Sequence, residues 1–223
     1  MSGTTWLSPA GRVPGVLLAV LCLFTAPETA HAQSTDAWRL DVSEPVTYFI
    51  EEVTPGSGVA EEDRTLARWA LEAWGAQADP PVRFEAAPEG TAMVRIFWVP
   101  AGGGMYGEMR ARRIEGHNGA DLFIRPDTDG LGPEIAEMAR EDALFRDTVV
   151  YLTCVHELGH AFGLVHTRVF DDIMYSFQWG GDFVAYFMRF RAQLDDRESI
   201  RGADPFSEGD RAAFEALYRT VED

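Results

Sequence analysis

Residues 153–167 read TCVHELGHAFGLVHT and place three of the chain's five histidines within eleven positions, with a glutamate directly after the first. On an α-helix, residues four apart differ by about 40° in direction and about 6 Å in height, so His156 and His160 project from one face, one turn apart. Two imidazoles so placed can share a tetrahedral zinc ion. Glu157 is turned away from a direct ligand position yet reaches a water on that metal, which suits a general base. Gly163 adopts positive φ at little cost, so it can end the helix and swing His166 back as a third ligand. Three neutral imidazoles around zinc leave a fourth position for water, whose pKa the cation lowers toward 7. Structural zinc sites fill all four positions with protein, so the pattern reads as catalytic.

Working outward, Cys154 lies two positions before His156 and points about 200° around the helix from it, away from the metal face, as a small buried apolar residue. Upstream, LGPEIAEMAREDALFRD (131–147) predicts a helix with Pro133 near its first turn, ending where Asp147 caps the histidine helix. Before it, PVTYFIEE (45–52), VRFEAA (82–87), MVRIFWVP (93–100), GEMRARRI (107–114) and GADLFIRP (119–126) read as strands between turn residues, TPGSG (54–58) ending the first. Between the first two, Leu66, Trp69, Ala70, Ala73 and Trp74 recur at helical spacing over 61–77, an acidic first turn suits the start, and both tryptophans read as core. Downstream, Phe183, Tyr186, Phe187, Phe190 and Leu194 share one helical face, readable as core, as a lid over the cleft or as a partner surface. Ser207 caps a final helix. Strands and one helix followed by a helical second half predict an α+β domain, with about five strands in one twisted mixed sheet and a cleft between its parts.

The run HELGHAFGLVH fits the H-E-x-x-H-x-x-G-x-x-H signature and so resembles the metzincin zinc peptidases. DIMY places Met174 eight residues after His166, where metzincins have a methionine turn, and that spacing is similar to the matrix metalloproteinase, or matrixin, branch. The resemblance implies that His156, His160 and His166 bind one catalytic zinc and that Glu157 activates a zinc-bound water. It also implies that Met174 floors the site and that GGGMYGEMRA (102–111) includes the substrate-pairing edge strand, while Tyr175 reads as a helper for the oxyanion or as a structural residue. The implied activity is a metalloendopeptidase acting on peptide or protein substrates. Ser176 replaces the proline that matrixins carry after the methionine–tyrosine pair, and the long segment 177–204 leaves side-chain preference open. The family's second zinc is not expected, because His117 reads as an ordinary loop residue. Asp127 and Asp129 in PDTDG offer oxygens to calcium, or form a plain polar turn.

Arg12, the apolar run VLLAVLCLF (16–24) and AHA (30–32) read as an export signal cleaved after Ala32, leaving one catalytic domain over 33–223, secreted or periplasmic. Leu21 before Cys22 argues against lipid anchoring, and no run approaches the roughly 20 apolar residues of a membrane span. Removing the signal leaves Cys154 as the one cysteine, so neither an internal disulfide nor latency through a propeptide cysteine is expected. A net charge of -17 argues against nucleic acid as a partner, and a monomer is expected. Two rival readings remain: a zinc-binding interaction module without turnover, and an amidase acting on cell-wall peptides.

Overall fold

The computed structural model describes residues 38–54, 59–100 and 106–219; the expected export signal with Cys22, the turn after Thr54 and residues 101–105 lie outside them. Five strands form one mixed sheet: β1 (Val46–Ile50), β2 (Phe84–Ala86), β3 (Val94–Trp98), β4 (Gly107–Ile114) and β5 (His117–Ile124), ordered β2-β1-β3-β5-β4. β1 runs parallel to β2 and β3, β3 runs parallel to β5, and β4 lies antiparallel to β5 at the sheet's edge.

Alternation along the strands sorts the two faces. Val94 and Ile96 of β3 lie beside Ala120 and Leu122 of β5, all buried, while Arg95 and Phe97 face the other side with Asp121 and Phe123. On that side Arg95 bridges Asp121 at 2.5 Å and Phe97 stacks on Phe123. Glu115 and Gly116 take φ of 50° and 92°, closing a two-residue hairpin turn that carries the ladder to its last pair. His117 therefore opens β5, exposed beside Asp41, rather than sitting in a loop.

Helix α1 (Glu61–Gly75) turns Leu66, Trp69, Ala70 and Trp74 inward and packs on α3 (Ala143–Ala161), which in turn contacts β4 and β5. Both expected core tryptophans are buried, and the Trp74 indole N–H donates to the Val155 carbonyl at 2.8 Å. Val149, Val150, Val155 and Leu158 complete the α3 side of the core. Each such side chain contributes about 1.5–3 kcal/mol by leaving water, enough for tertiary packing to fix the direction of α3.

The break before α3 falls at Asp142, five residues earlier than the sequence placed it. Helix α2 (Pro133–Glu141) ends there, and the Asp142 carboxylate accepts the Leu144 and Phe145 N–H groups at 2.9 and 3.1 Å. Its other oxygen takes the Arg191 guanidinium at 2.7 Å. Asp147 instead sits inside α3, where Arg146 and Arg197 pair with it and offset the poor fit of an aspartate within a helix.

After the histidines come α4 (Phe183–Arg191), the single turn α5 (Ser199–Gly202) and α6 (Glu208–Tyr218). Ser207 caps α6 as expected, its hydroxyl accepting the Asp210 N–H while the Asp210 carboxylate accepts the Ser207 N–H. At the far end of α6 the Tyr218 hydroxyl is hydrogen-bonded to the Leu40 and Phe162 carbonyls, each at 3.1 Å. The first and last described segments thus meet behind the end of α3. No helix among the described residues is long and apolar enough to cross a membrane.

Candidate active site

Helix α3 stops where Gly163 takes φ of 98°; its N–H donates to the His160 carbonyl at 3.0 Å and the Leu164 N–H to the Gly159 carbonyl at 2.9 Å. That pairing closes the helix with a left-handed residue. A side chain at 163 is excluded twice, by φ and because a Cβ there would lie 2.5 Å from the Trp38 carbonyl oxygen. The turn brings His166 back, so that its Nε2 lies 3.2 Å from Nε2 of His156 and 3.1 Å from Nε2 of His160.

The other ring nitrogens decide the tautomers. Nδ1 of His156 meets the Ile173 carbonyl at 2.7 Å and Nδ1 of His160 meets the Leu164 carbonyl at 2.9 Å. A carbonyl can only accept, so both Nδ1 atoms carry the proton and both Nε2 atoms present a lone pair. Burial and the neighbouring imidazoles push His156 down to about 3, and burial lowers His160 and His166 as well, so all three are neutral near pH 7.

Neutral lone pairs at this separation repel one another unless a cation lies between them. Zinc held at 2.0–2.1 Å by nitrogens at tetrahedral angles sets those nitrogens about 3.3–3.4 Å apart, close to what the triad shows. The donor set therefore fits zinc. Among the described residues no other three potential ligands converge in this way. Asp127 accepts the Asp129 N–H and faces Arg125, while Asp129 pairs with Arg140.

Glu157, 6% exposed, leaves the same helix one residue after His156 and lies against the start of β4. Burial pushes its carboxyl up to about 8, against the pull of the Met109 backbone N–H, and the Glu108 charge adds to the rise. Triad and glutamate open into a cleft of about 550 Å³ between β4, α3 and the chain beyond Tyr175. Its apolar wall includes Leu131, Leu152, Phe177, Phe183, Tyr186 and Phe187. Of the roles expected for the aromatic face of α4, the core one is seen: Tyr186, Phe187 and Phe190 are buried, while Phe183, stacked on Phe177, lines the cleft wall.

Beneath the histidines Met174 is fully buried, and Tyr175 packs in the wall with its hydroxyl donating to the Gly180 carbonyl at 2.8 Å. Three residues that sequence reasoning passed over shape the site. A Cβ on Gly159 would stand 2.3 Å from the Met174 sulfur, so only glycine lets the methionine turn come this close. A mid-helix glycine costs about 1 kcal/mol against alanine, a signal of close approach that was readable. Asp210, 1% exposed, takes the Ile173 N–H at 2.8 Å and the Met174 N–H at 3.4 Å, the latter on the peptide whose carbonyl holds His156. Gly107 is the third, and its alternation with apolar residues gave no signal. Cys154 is buried and free, away from the triad.

Two comparisons with known proteins bear on this geometry. A family model described as matrixin matches residues 37–202. The chain is also 30% identical over 130 residues to interstitial collagenase of Sus scrofa, a match covering 58% of this chain and 26% of the collagenase, so it spans about a quarter of that relative's length.

Proposed function

The chain belongs to the matrixin family, and from that premise we propose that it is an exported zinc-dependent metalloendopeptidase. The observation that carries the reading is the meeting of three neutral imidazoles through their Nε2 atoms beside a buried carboxyl, in a cleft bordered by the edge strand β4. His156, His160 and His166 would hold zinc, which supplies a Lewis acid that acidifies water and polarises a carbonyl. Glu157 accepts the proton of the attacking water and returns it to the leaving amine. A carboxyl whose burial lifts it toward neutrality can both take and give that proton. Met174 and Gly159 set the floor beneath the histidines. Tyr175, its hydroxyl engaged by Gly180, serves the wall. Export rests on the N-terminal pattern of Arg12, the apolar run and AHA.

The test is to purify the protein, determine its zinc, and assay a peptide library with and without 1,10-phenanthroline beside Glu157→Gln. About one zinc per chain, chelator-sensitive cleavage, and loss of about 10²–10⁴-fold in kcat/KM for the variant with zinc retained are expected. Cleavage by Glu157→Gln at the parent rate would sink the role given to Glu157, and a zinc-free protein would sink the role given to the histidines.

A further inference from the structure

β4 is an edge strand, and its ladder tells which of its backbone groups are not paired with β5. Arg125 N–H donates to the Tyr106 carbonyl, and the register then pairs Glu108, Arg110 and Arg112 with β5 through hydrogen bonds. The N–H and carbonyl groups of Gly107, Met109 and Ala111 consequently point away from β5; Gly107 and Met109 line the cleft, and the Met109 N–H is hydrogen-bonded to Glu157. Glu157 lies along this side of the strand. The three heavy atoms nearest to a Cβ placed on Gly107 all belong to Glu157: Oε1 at 2.5 Å, Cγ at 2.8 Å and Cδ at 2.9 Å.

Gly107 has no left-handed backbone angle, so conformational freedom does not explain the glycine. What the position supplies is space, and Glu157 fills it. We propose that Gly107 is a positioning residue for Glu157: the missing side chain at the head of the edge strand is what allows the carboxylate to stand between α3 and the free edge of β4. The inference rests on the reading of Glu157 as the base.

The obstruction falls on the far end of a flexible side chain, not on backbone, so an alanine at 107 displaces the carboxylate rather than the strand. Catalysis and folding are therefore separable here. In the purified protein Gly107→Ala should keep its zinc and its melting temperature while kcat falls about tenfold or more, because a base displaced by an ångström loses its line to the reacting atoms. KM, set by the rest of the cleft, should stay within about threefold. In a Glu157→Asp background the shorter acid vacates the space, and Gly107→Ala should then change kcat by less than about twofold.

A crystal structure of Gly107→Ala supplies a readout independent of turnover: the Glu157 carboxylate moves and residues 106–110 do not. An unchanged kcat, an equal loss in both backgrounds, or a carboxylate that keeps its place while β4 shifts would each overturn the proposal. If the parent protein cleaves nothing, the peptidase reading falls on its own, and the crystallographic arm still decides whether Gly107 sets the position of Glu157.

Discussion

The two ends of α3 are secured by different chemistry. At the first end, fully buried Asp63 of α1 pairs with Arg146, Arg146 and Arg197 share Asp147, and Arg191 of α4 holds the capping Asp142. At the second end the described residues form no ion pair to α3; backbone carbonyls hold the imidazoles, the Asp210 carboxylate takes the Ile173 N–H, glycines admit close neighbours, and aromatic rings fill the rest. A cation-binding site gains from that division. Unsatisfied charges near the histidines would compete for the metal or for its ligands, whereas ion pairs most of a helix length away fix its direction without entering its electrostatics. The charged end should govern stability, and the histidine end metal binding and turnover.

The most severe way to break the charged end is Asp63→Ala, which leaves Arg146 half-served under α1. A loss of about 3 kcal/mol in urea unfolding is expected, with zinc affinity of the remaining folded protein unchanged. A comparable drop in zinc affinity would show that the two ends are not independent. Next in size is Gly159→Ala at the histidine end, where the new methyl group meets Met174 and, at 3.1 Å, Trp74. Overpacking there should cost about 1–3 kcal/mol and also weaken zinc binding, measured by competition with a chelating dye.

Removing the metal should make the histidine end visible through pH. His156, pushed down to about 3, and the lowered His160 and His166 bind fewer protons folded than unfolded, so their contribution to stability grows as pH rises to their ordinary value of 6.5. Glu157, pushed up to about 8 from 4.5, binds more protons folded than unfolded, so its contribution is lost as pH rises through that interval. Above pH 7 the histidines are mostly neutral in both states and the glutamate dominates, so the metal-free protein should lose about 1 kcal/mol between pH 7 and 9, read from urea titrations at each pH. A flat profile would mean that Glu157 is solvated once the metal leaves. The smallest expected effect is Asp142→Ala, about 1 kcal/mol from the lost cap, seen as a lower unfolding midpoint with the zinc content unaltered.

Much of this was legible in the chain because the signals were local. The histidine spacing, the glycine that ends their helix and the methionine eight residues on each state a geometric requirement within one turn or one loop, and the strands announced themselves by alternation. What escaped were choices settled at a distance. Asp142 and Asp147 are equally able to cap a helix, and the decision came from Arg191 and Arg197, 49 and 50 positions further along the chain. Asp210 looked like half of a capping box, which it is, and nothing local said that it also holds the Ile173 peptide. The aromatic helix α4 could not be assigned one role from its periodicity, since a single face meets both core and cleft.

The hydrogen bonds of Tyr218 to Leu40 and Phe162 carry a last consequence. They bring the first and last described segments together beside the end of α3, so the described body has one seam. A domain so arranged can be spliced into a loop of another protein, or reopened elsewhere after its own ends are joined, with its cutting edge undisturbed.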